Sequence, residues 1–426
     1  MNINHICIIG LGYIGLPTAS TFANMGIQVT GVDNNPDVVK SLKAGKVHIY
    51  EPGLGEVVEK ALKSGKLQVA NAPVPADAFI IAVPTPFYDD KKADLSYVCS
   101  AAESIVPILR PGNLVILEST SPPLTTRDRV QPILEKTGMK AGKDFMLAYS
   151  PERVLPGQIL KELIENARVI GGVDRASAEA GRDLYKLFVK GEIILTDATT
   201  SEMVKLMENT YRDVNIAIAN EFSRLADRFG VDVWEAIQIA NRHPRVKILN
   251  PGSGVGGHCI SVDPWFFVEA APDITPLIHT ARNVNDGQPK FVITLVDRAL
   301  GGIQGKQIAV LGLAFKPDVD DLRESPAVEV SRLLVKAGAI VTAYEPYKSD
   351  FKIQGASVMP TLKKTILNAE AILLLVDHLQ FRSLSPAEVI KLTKARIIID
   401  AVNSLNFVEW QSTGFKLYRL GDRKNS

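Results

Sequence analysis

The chain has 426 residues, 46% of them apolar, and 48 Lys and Arg against 47 Asp and Glu give a formal net charge of +1. That length predicts two to three domains with ample cores, and so even a charge balance argues against a footprint for nucleic acid or an anionic membrane. The three cysteines, Cys7, Cys99 and Cys259, are too few for a disulfide framework and lack metal-ligand spacing, which predicts no metal and fits a reducing cytoplasm.

No basic, cleavable leader precedes the first apolar run, and the longest apolar runs, such as 371–376, are too short to cross a bilayer. The expectation is a soluble protein with an α/β fold.

Ile6-Cys7-Ile8-Ile9 reads as a strand buried on both faces, and Gly10-Leu11-Gly12-Tyr13-Ile14-Gly15 follows at once. A helical stretch runs from Leu16 to Met25, and a second strand, Gln28 to Val32, ends in Asp33. This is the order of a dinucleotide-binding unit: glycines for a tight turn and close pyrophosphate approach, a helix N-terminus for its charge, an acid for the ribose hydroxyls. NAD is the expected cofactor, because Asp33 repels a 2′-phosphate and Asn34-Asn35-Pro36-Asp37 offers no cation to bind one.

Further strands are predicted at 78–83, 114–117 and 145–149, ending in Pro84-Thr85-Pro86, Glu118-Ser119-Thr120 and Ser150-Pro151-Glu152-Arg153. Ligands in such sheets bind beyond the carboxyl ends of the strands, so Thr85, Thr120, Glu152 and Arg153 fall where chemistry is expected. Ser119 and Ser121 read as turn or cap residues.

Thr199-Thr200-Ser201-Glu202 has the form of a capping box opening a helix that runs to about Phe229. Such a rod, about 45 Å long at 1.5 Å per residue, is expected to brace domains and to organise a homodimer or higher homo-oligomer. Glu202, Lys205, Asn209 and Arg212 share one face of it, either as a site stripe or as an ordinary solvated face. Ile216 to Ala219 read as buried.

The segment Gly252-Ser253-Gly254-Val255-Gly256-Gly257-His258-Cys259, with Asp263 four residues on, crowds glycines around one cysteine. It reads as a loop that lets backbone N–H groups approach a ligand beside an exposed nucleophile, or else as a tight loop with a buried small residue.

A strand at 308–311, a helix at 325–336 and a strand at 340–344 repeat the plan of residues 6–33. Gly312-Leu313-Ala314-Phe315-Lys316-Pro317 lacks the later glycines, which predicts a different phosphate-bearing ligand and no second dinucleotide. The fold class expected is α/β: two Rossmann-like parallel-sheet domains, 1–198 for NAD and 303–426 for that other phosphate-bearing ligand, joined by a central helical domain, 199–302.

Taken together, these motifs and their order resemble the UDP-glucose/GDP-mannose dehydrogenase superfamily over nearly the whole chain. They include Glu202-Met203-Val204-Lys205-Leu206-Met207-Glu208-Asn209 and Phe315-Lys316-Pro317-Asp318 followed by Arg323-Glu324-Ser325. Asn241-Arg242-His243-Pro244-Arg245 and Gly257-His258-Cys259-Ile260 resemble its N-acetylated branch.

The resemblance implies NAD-dependent, four-electron oxidation of a sugar C6 alcohol to the uronate through a cysteine thiohemiacetal and thioester. It ranks UDP-N-acetylmannosamine first, UDP-N-acetylglucosamine next and UDP-glucose below; a two-electron hydroxyacid dehydrogenase is the rival class. It implies Cys259 as nucleophile, Lys205 as acid/base or fixed cation, Asn209 beside the reacting oxygen, Asp263 holding a water, and Glu152 and Thr120 orienting the hydrolytic water. Gly10, Gly12, Tyr13, Ile14, Gly15, Asp33, Thr85, Thr120 and Arg323 become cofactor contacts. Arg153, Val154, Lys205, Asn209, Arg212, His243, Arg245, Gly256 and Lys316 become substrate contacts. His258 is a less favoured base for Cys259, since neighbours in an extended loop diverge.

Overall fold

The computed structural model describes residues 3–424. They divide into two compact units, one of residues 3–208 with 269–272 and one of residues 209–268 with 273–424.

The first unit holds an eight-stranded sheet: β1 His5–Ile9, β2 Gln28–Val32, β3 Leu67–Ala70, β4 Ala78–Ile81, β5 Leu114–Leu117, β6 Met146–Tyr149, β7 Arg168–Gly172 and β8 Ile193–Asp197. Its order is β3-β2-β1-β4-β5-β6-β7-β8. The first six strands give the doubly wound order in which the crossover point lies at the carboxyl ends of β1 and β4. All pairs are parallel except β6 with β7, where Ala148 faces Gly172 and Tyr149 faces Gly171. The continuous apolar runs follow from burial on both faces: Ile6 and Ile8 enter one core and Cys7 and Ile9 the other, all at 8% exposure or less.

The second unit carries the expected second sheet: β9 Gln307–Leu311, β10 Ile340–Tyr344, β11 Ala356–Val358, β12 Ala371–Leu374, β13 Ile397–Asp400 and β14 Lys416–Arg419. It is parallel throughout, in the order β11-β10-β9-β12-β13-β14, the same doubly wound sequence of strands.

A helix runs from Ala198 to Phe229, 32 residues. Its start differs from the expected capping box. Asp197 accepts from Thr200 N at 2.9 Å and Thr200 Oγ1 at 2.6 Å, so the acid one residue before the helix caps it. Glu202 turns away to accept from Leu124 N and from Thr126 N and Oγ1, at 2.6 to 2.7 Å. Of the stretch expected to be buried, Ala217 and Ala219 are, but Ile218 is 42% exposed.

Candidate active site

In the first unit the glycine turn is built for a phosphate. Gly10 has φ +96° and donates to Val32 O, which binds the turn to β2. A Cβ on Gly15 would stand 1.8 Å from Gly10 O, whereas one on Gly12 would meet nothing within 4 Å. The helix Gly15–Asn24 has Ile14 at its N-cap and no capping side chain; Leu16 N donates to Gly12 O at 3.2 Å and Pro17 has no N–H, so of its first three residues Gly15 keeps an N–H for an anion. Asp33 accepts from Leu11 N at 3.0 Å and Asn35 N at 2.9 Å, which holds its carboxylate at the end of β2. Tyr13 and Ile14 are half-buried on the turn. These groups fit NAD: an open helix end for the pyrophosphate and an acid for the ribose.

Thr85 and Thr120, at the ends of β4 and β5, come together through Thr85 Oγ1 donating to Thr120 O at 2.6 Å. Glu152 is buried, accepting from Arg153 N at 2.8 Å and from the guanidinium of Arg168. Arg153 has its own partners: Nε and Nη2 donate to Glu208, and Nη1 donates to Ala167 O at 2.8 Å. Its reach for a substrate is therefore limited by an internal ion pair. Val154 is half-buried against the first core. Lys205 is buried at 8% exposure, and Asn209 follows it by one turn on the same face.

Three residues that were given no role join this site. Arg168 donates to Glu118 Oε1 at 3.2 Å and Ser150 Oγ at 3.0 Å, and stacks 4.1 Å above the Tyr185 ring. Tyr185 donates its hydroxyl to Glu118 Oε1 at 2.9 Å. Burial pushes the Glu118 carboxyl up to about 7 despite Arg168. The available signal was the acid closing the all-apolar run Leu114–Leu117; nothing local identified Arg168 as its partner.

In the second unit the glycines before Cys259 are needed for packing against protein. A Cβ on Gly256 would lie 2.5 Å from Glu324 O and 2.9 Å from Phe315 Cβ, and one on Gly257 (φ +88°) 2.8 Å from the Phe315 ring. Gly257 N donates to Arg323 O at 3.0 Å, and Ser261 Oγ to Gly257 O. The loop is thus clamped to residues 315–326. Cys259 O accepts from Val262 N and Asp263 N, which ties the half-buried cysteine to the start of the helix Asp263–Ala270. Asn209 Nδ2 donates to Asp263 Oδ2 at 2.5 Å, joining two of the expected residues.

The backbone bends at residues 257–259, and the side chains of His258 and Cys259 interact where an extended loop would have parted them. The His258 ring is 38% exposed with Nδ1 3.7 Å from Asp321 Oδ2; desolvation would lower its pKa, but the interactions with Asp321 and Cys259 outweigh that and raise it to about 9. Burial opposes the Asp321 carboxylate too, yet bonds from His258 and Arg323 hold it well below the usual range. Arg323 Nη2 is 2.6 Å from Asp321 Oδ2 and 3.0 Å from His258 Nδ1. The latter contact is a hydrogen bond only to a neutral ring, whereas Asp321 pairs with Arg323 whatever the state of the ring.

Arg212, His243 and Arg245 are exposed, and Lys316 is half-buried on the turn after β9.

Known proteins bear directly on this arrangement. The NAD binding domain of the UDP-glucose/GDP-mannose dehydrogenase family matches residues 4–189, its central domain 199–287 and its UDP binding domain 309–407. The chain belongs to this family. It is an NAD-dependent nucleotide-sugar dehydrogenase. It is 48% identical to UDP-N-acetyl-D-mannosamine dehydrogenase of Methanocaldococcus jannaschii, over 99% of this chain and 97% of that one. It is 47% identical to NDP-N-acetyl-D-galactosaminuronic acid dehydrogenase of Ralstonia nicotianae, over 93% of this chain and 95% of the other. The solved UDP-D-ManNAc dehydrogenase from Pyrococcus horikoshii superposes with a TM-score of 0.92 at 42% identity, covering 99% of this chain and all of that one. Among the described residues no helix is long and apolar enough to cross a membrane.

Proposed function

We propose that this enzyme oxidises C6 of UDP-N-acetyl-D-mannosamine to the uronate in two successive two-electron steps, with Cys259 holding the intermediate. The observation that carries the reading is the clamped glycine loop, which keeps Cys259 half-buried beside His258 and a few residues from Asp263. A second oxidation without aldehyde release needs a covalent anchor, and a thiolate both adds to an aldehyde and leaves an acyl carbon.

NAD supplies the hydride acceptor for each oxidation. Lys205 serves the C6 oxygen, as acid/base or as a fixed cation, with Asn209 beside it. The thiolate of Cys259 adds to the aldehyde carbon to give a thiohemiacetal, whose loss of a hydride and a proton leaves a thioester. Water held by Asp263 and oriented by Thr120 and Glu152 attacks the acyl carbon, Glu152 takes a proton from it, and the C–S bond breaks to return the thiolate.

Asp33 and the turn residues Gly10, Gly12, Tyr13, Ile14 and Gly15 hold the cofactor, with Thr85, Thr120 and Arg323. Arg153, Val154, Arg212, His243, Arg245, Gly256 and Lys316 contact the UDP-sugar, the exposed Arg212 and Arg245 suiting the diphosphate by their planar forks. Residues 1–198, 199–302 and 303–426 then divide into cofactor, catalytic and UDP-sugar segments. The 48% identity to a mannosamine-type enzyme supports the sugar, and three free cysteines suit a cytoplasmic site of action.

Steady-state assays with NAD and UDP-N-acetylmannosamine, UDP-N-acetylglucosamine, UDP-N-acetylgalactosamine and UDP-glucose test the substrate. Two NADH per uronate and a preference for the mannosamine sugar are expected. One NADH per turnover would return the two-electron rival, and a preference for UDP-glucose would refute the acetamido reading. Cys259→Ser is expected to make no net uronate at a measurable rate; near-normal acid formation would end the covalent mechanism.

A homodimer organised by the long helix is the proposed assembly, since Phe222, Leu225 and Phe229 remain 39%, 43% and 72% exposed along it. Light scattering that gives a monomer at micromolar concentration would contradict it.

A further inference from the structure

The buried cluster of Glu118, Glu152, Arg168 and Tyr185 has more acid than an ion pair needs. Glu118 follows β5, Glu152 lies three residues after β6, Arg168 opens β7, and Tyr185 ends the helix Arg175–Tyr185. The four are between 0% and 9% exposed. Arg168 serves both carboxylates with one guanidinium. Fully ionised, the cluster would bury two negative charges against one positive charge. A purely structural pair gains nothing from a second desolvated carboxylate.

Glu118 is the member that holds a proton. Its Oε1 accepts from Arg168 and Tyr185, while its buried Oε2 has no hydrogen-bond partner among the described residues. A bare buried carboxylate oxygen is costly, whereas a carboxylic acid removes the charge that makes it so. The ionisable groups facing Glu118 are Arg168, Glu152 and Tyr185; burial is the largest influence and raises its proton affinity, to about 7. Arg168 stays charged against its burial, through Glu152, Tyr185 and Glu118.

We propose that Glu118 is a positioning residue for thioester hydrolysis, acting through Arg168 on Glu152. While Glu118 is protonated, Arg168 neutralises Glu152 alone, and a proton moving from the attacking water to Glu152 relieves no excess negative charge. Once Glu118 ionises, Arg168 must serve two carboxylates, and protonating Glu152 relieves the excess negative charge. Hydrolysis therefore accelerates as Glu118 loses its proton to solvent. No bond is made or broken at Glu118; only the charge facing Arg168 changes. This inference rests on the assignment of Glu152 to the hydrolytic water.

The test is the pH profile of uronate release from the acyl-enzyme, in single turnover between pH 5.5 and 8.5, with the UDP-sugar that the steady-state panel selects. The wild type is expected to show an inflection near neutrality, with a rise of roughly tenfold, the change given by one pK unit of coupling. Glu118→Gln, which mimics the protonated acid, should lose the inflection and stay at the low-pH rate. Tyr185→Phe, which deletes a bond to the Glu118 carboxylate, should move the inflection to higher pH.

In the unliganded protein, the infrared carbonyl band of a protonated carboxyl should titrate over the same range, be absent in Glu118→Gln and move upward in Tyr185→Phe. If Glu118→Gln does not fold, the displaced inflection and band in Tyr185→Phe carry the test. An unchanged inflection in Glu118→Gln, or in Tyr185→Phe, overturns the inference. Glu152→Gln separates it from the reading beneath: slow hydrolysis there with an unchanged Glu118→Gln profile overturns the inference alone, while normal hydrolysis in Glu152→Gln overturns both.

Discussion

The turns after β1 and β9 start from the same parts and reach opposite ends. Each follows the central strand of a doubly wound sheet, begins with a glycine at positive φ, and faces an acid at the end of the next strand. Gly10 donates to Val32 O, and Gly312 donates to Tyr344 O. After β1 the helix begins at Gly15, uncapped, and Asp33 engages only one N–H of the turn, that of Leu11. After β9 the chain runs on to Pro326 before its helix begins, and Ser325 caps that helix through Ala327 N at 3.2 Å. There Glu345, fully buried, accepts from both Leu313 N and Ala314 N, at 2.7 and 2.9 Å. The second turn has an internal carboxylate where an incoming phosphate would seek its donors. A Rossmann strand order is thus not enough to make a dinucleotide site; the turn must leave its N–H groups unspent.

The largest effect expected from breaking this comparison comes from Gly15→Ala. The new Cβ would lie 1.8 Å from a backbone oxygen, and neither chain can yield without moving β1 or the helix. NAD affinity should fall on the order of 100-fold or more, about 3 kcal/mol, measured by calorimetric titration. A variant that binds NAD normally would show that the turn is not the cofactor cradle.

In the second turn the matching change is Glu345→Gln, and its effect should fall on stability. Burial opposes the carboxylate, but the bond from His378 Nε2 at 3.1 Å outweighs it and holds Glu345 below the usual glutamate range. Loss of its charge-assisted bonds is expected to cost about 2 to 3 kcal/mol in denaturant unfolding at neutral pH, with NAD affinity unchanged. The sign follows from the lowered folded value. The carboxylate's contribution is present above the unfolded pKa of about 4.3 and is lost as pH falls through the folded one, so the gap between wild type and variant should close in acid. A gap that widens on acidification would contradict the assignment, and weakened NAD binding would contradict the separation of the two turns.

Both strand–turn–strand units were legible in the sequence because strands covered on both faces must be continuous apolar runs, and because glycine at a crowded turn has no substitute. Asp33, Thr85 and Thr120 were legible by topology, since they end strands. What escaped has a common cause: it depends on pairings between distant segments. Asn209 with Asp263 and Glu118 with Arg168 join residues 54 and 50 positions apart, and no local pattern encodes either. The glycines before Cys259 were rightly singled out for a different reason, since it is Phe315 and Glu324 that need their space. The capping box failed because Asp197 outcompeted Thr199 for the helix start, which released Glu202 to a buried role.

Asp33→Ala sharpens the comparison on the acid itself. Asp33 accepts two backbone N–H groups and is half-buried, so its loss should cost less than the Gly15 clash. NAD should bind about tenfold more weakly, one good ribose hydrogen bond, while NADP gains on it because the charge that repels a 2′-phosphate has gone. Steady-state kcat/KM for both cofactors reads this directly. An unchanged NAD-to-NADP ratio would mean that Asp33 serves only groups of the protein, as Glu345 does with Leu313 N, Ala314 N and His378.

Gly12→Ala should have the smallest effect on the fold and is the sharpest probe of what the first turn leaves open. A Cβ at Gly12 meets nothing within 4 Å, unlike one at Gly15 or at Gly312, where Val376 lies 2.5 Å away. The residue matching Gly12 in the second turn is already an alanine, Ala314, and it is fully accommodated there at 1% exposure. The unliganded protein should therefore unfold within about 0.5 kcal/mol of wild type, as for a surface substitution. NAD affinity should nevertheless fall several-fold, roughly 1 kcal/mol, because the methyl group enters the space through which the pyrophosphate approaches the backbone. Unchanged stability with weakened NAD binding is the expected pair of results. Unchanged stability with unchanged binding would place the pyrophosphate away from Gly12 and reduce the contrast between the two turns to the capping of their helices.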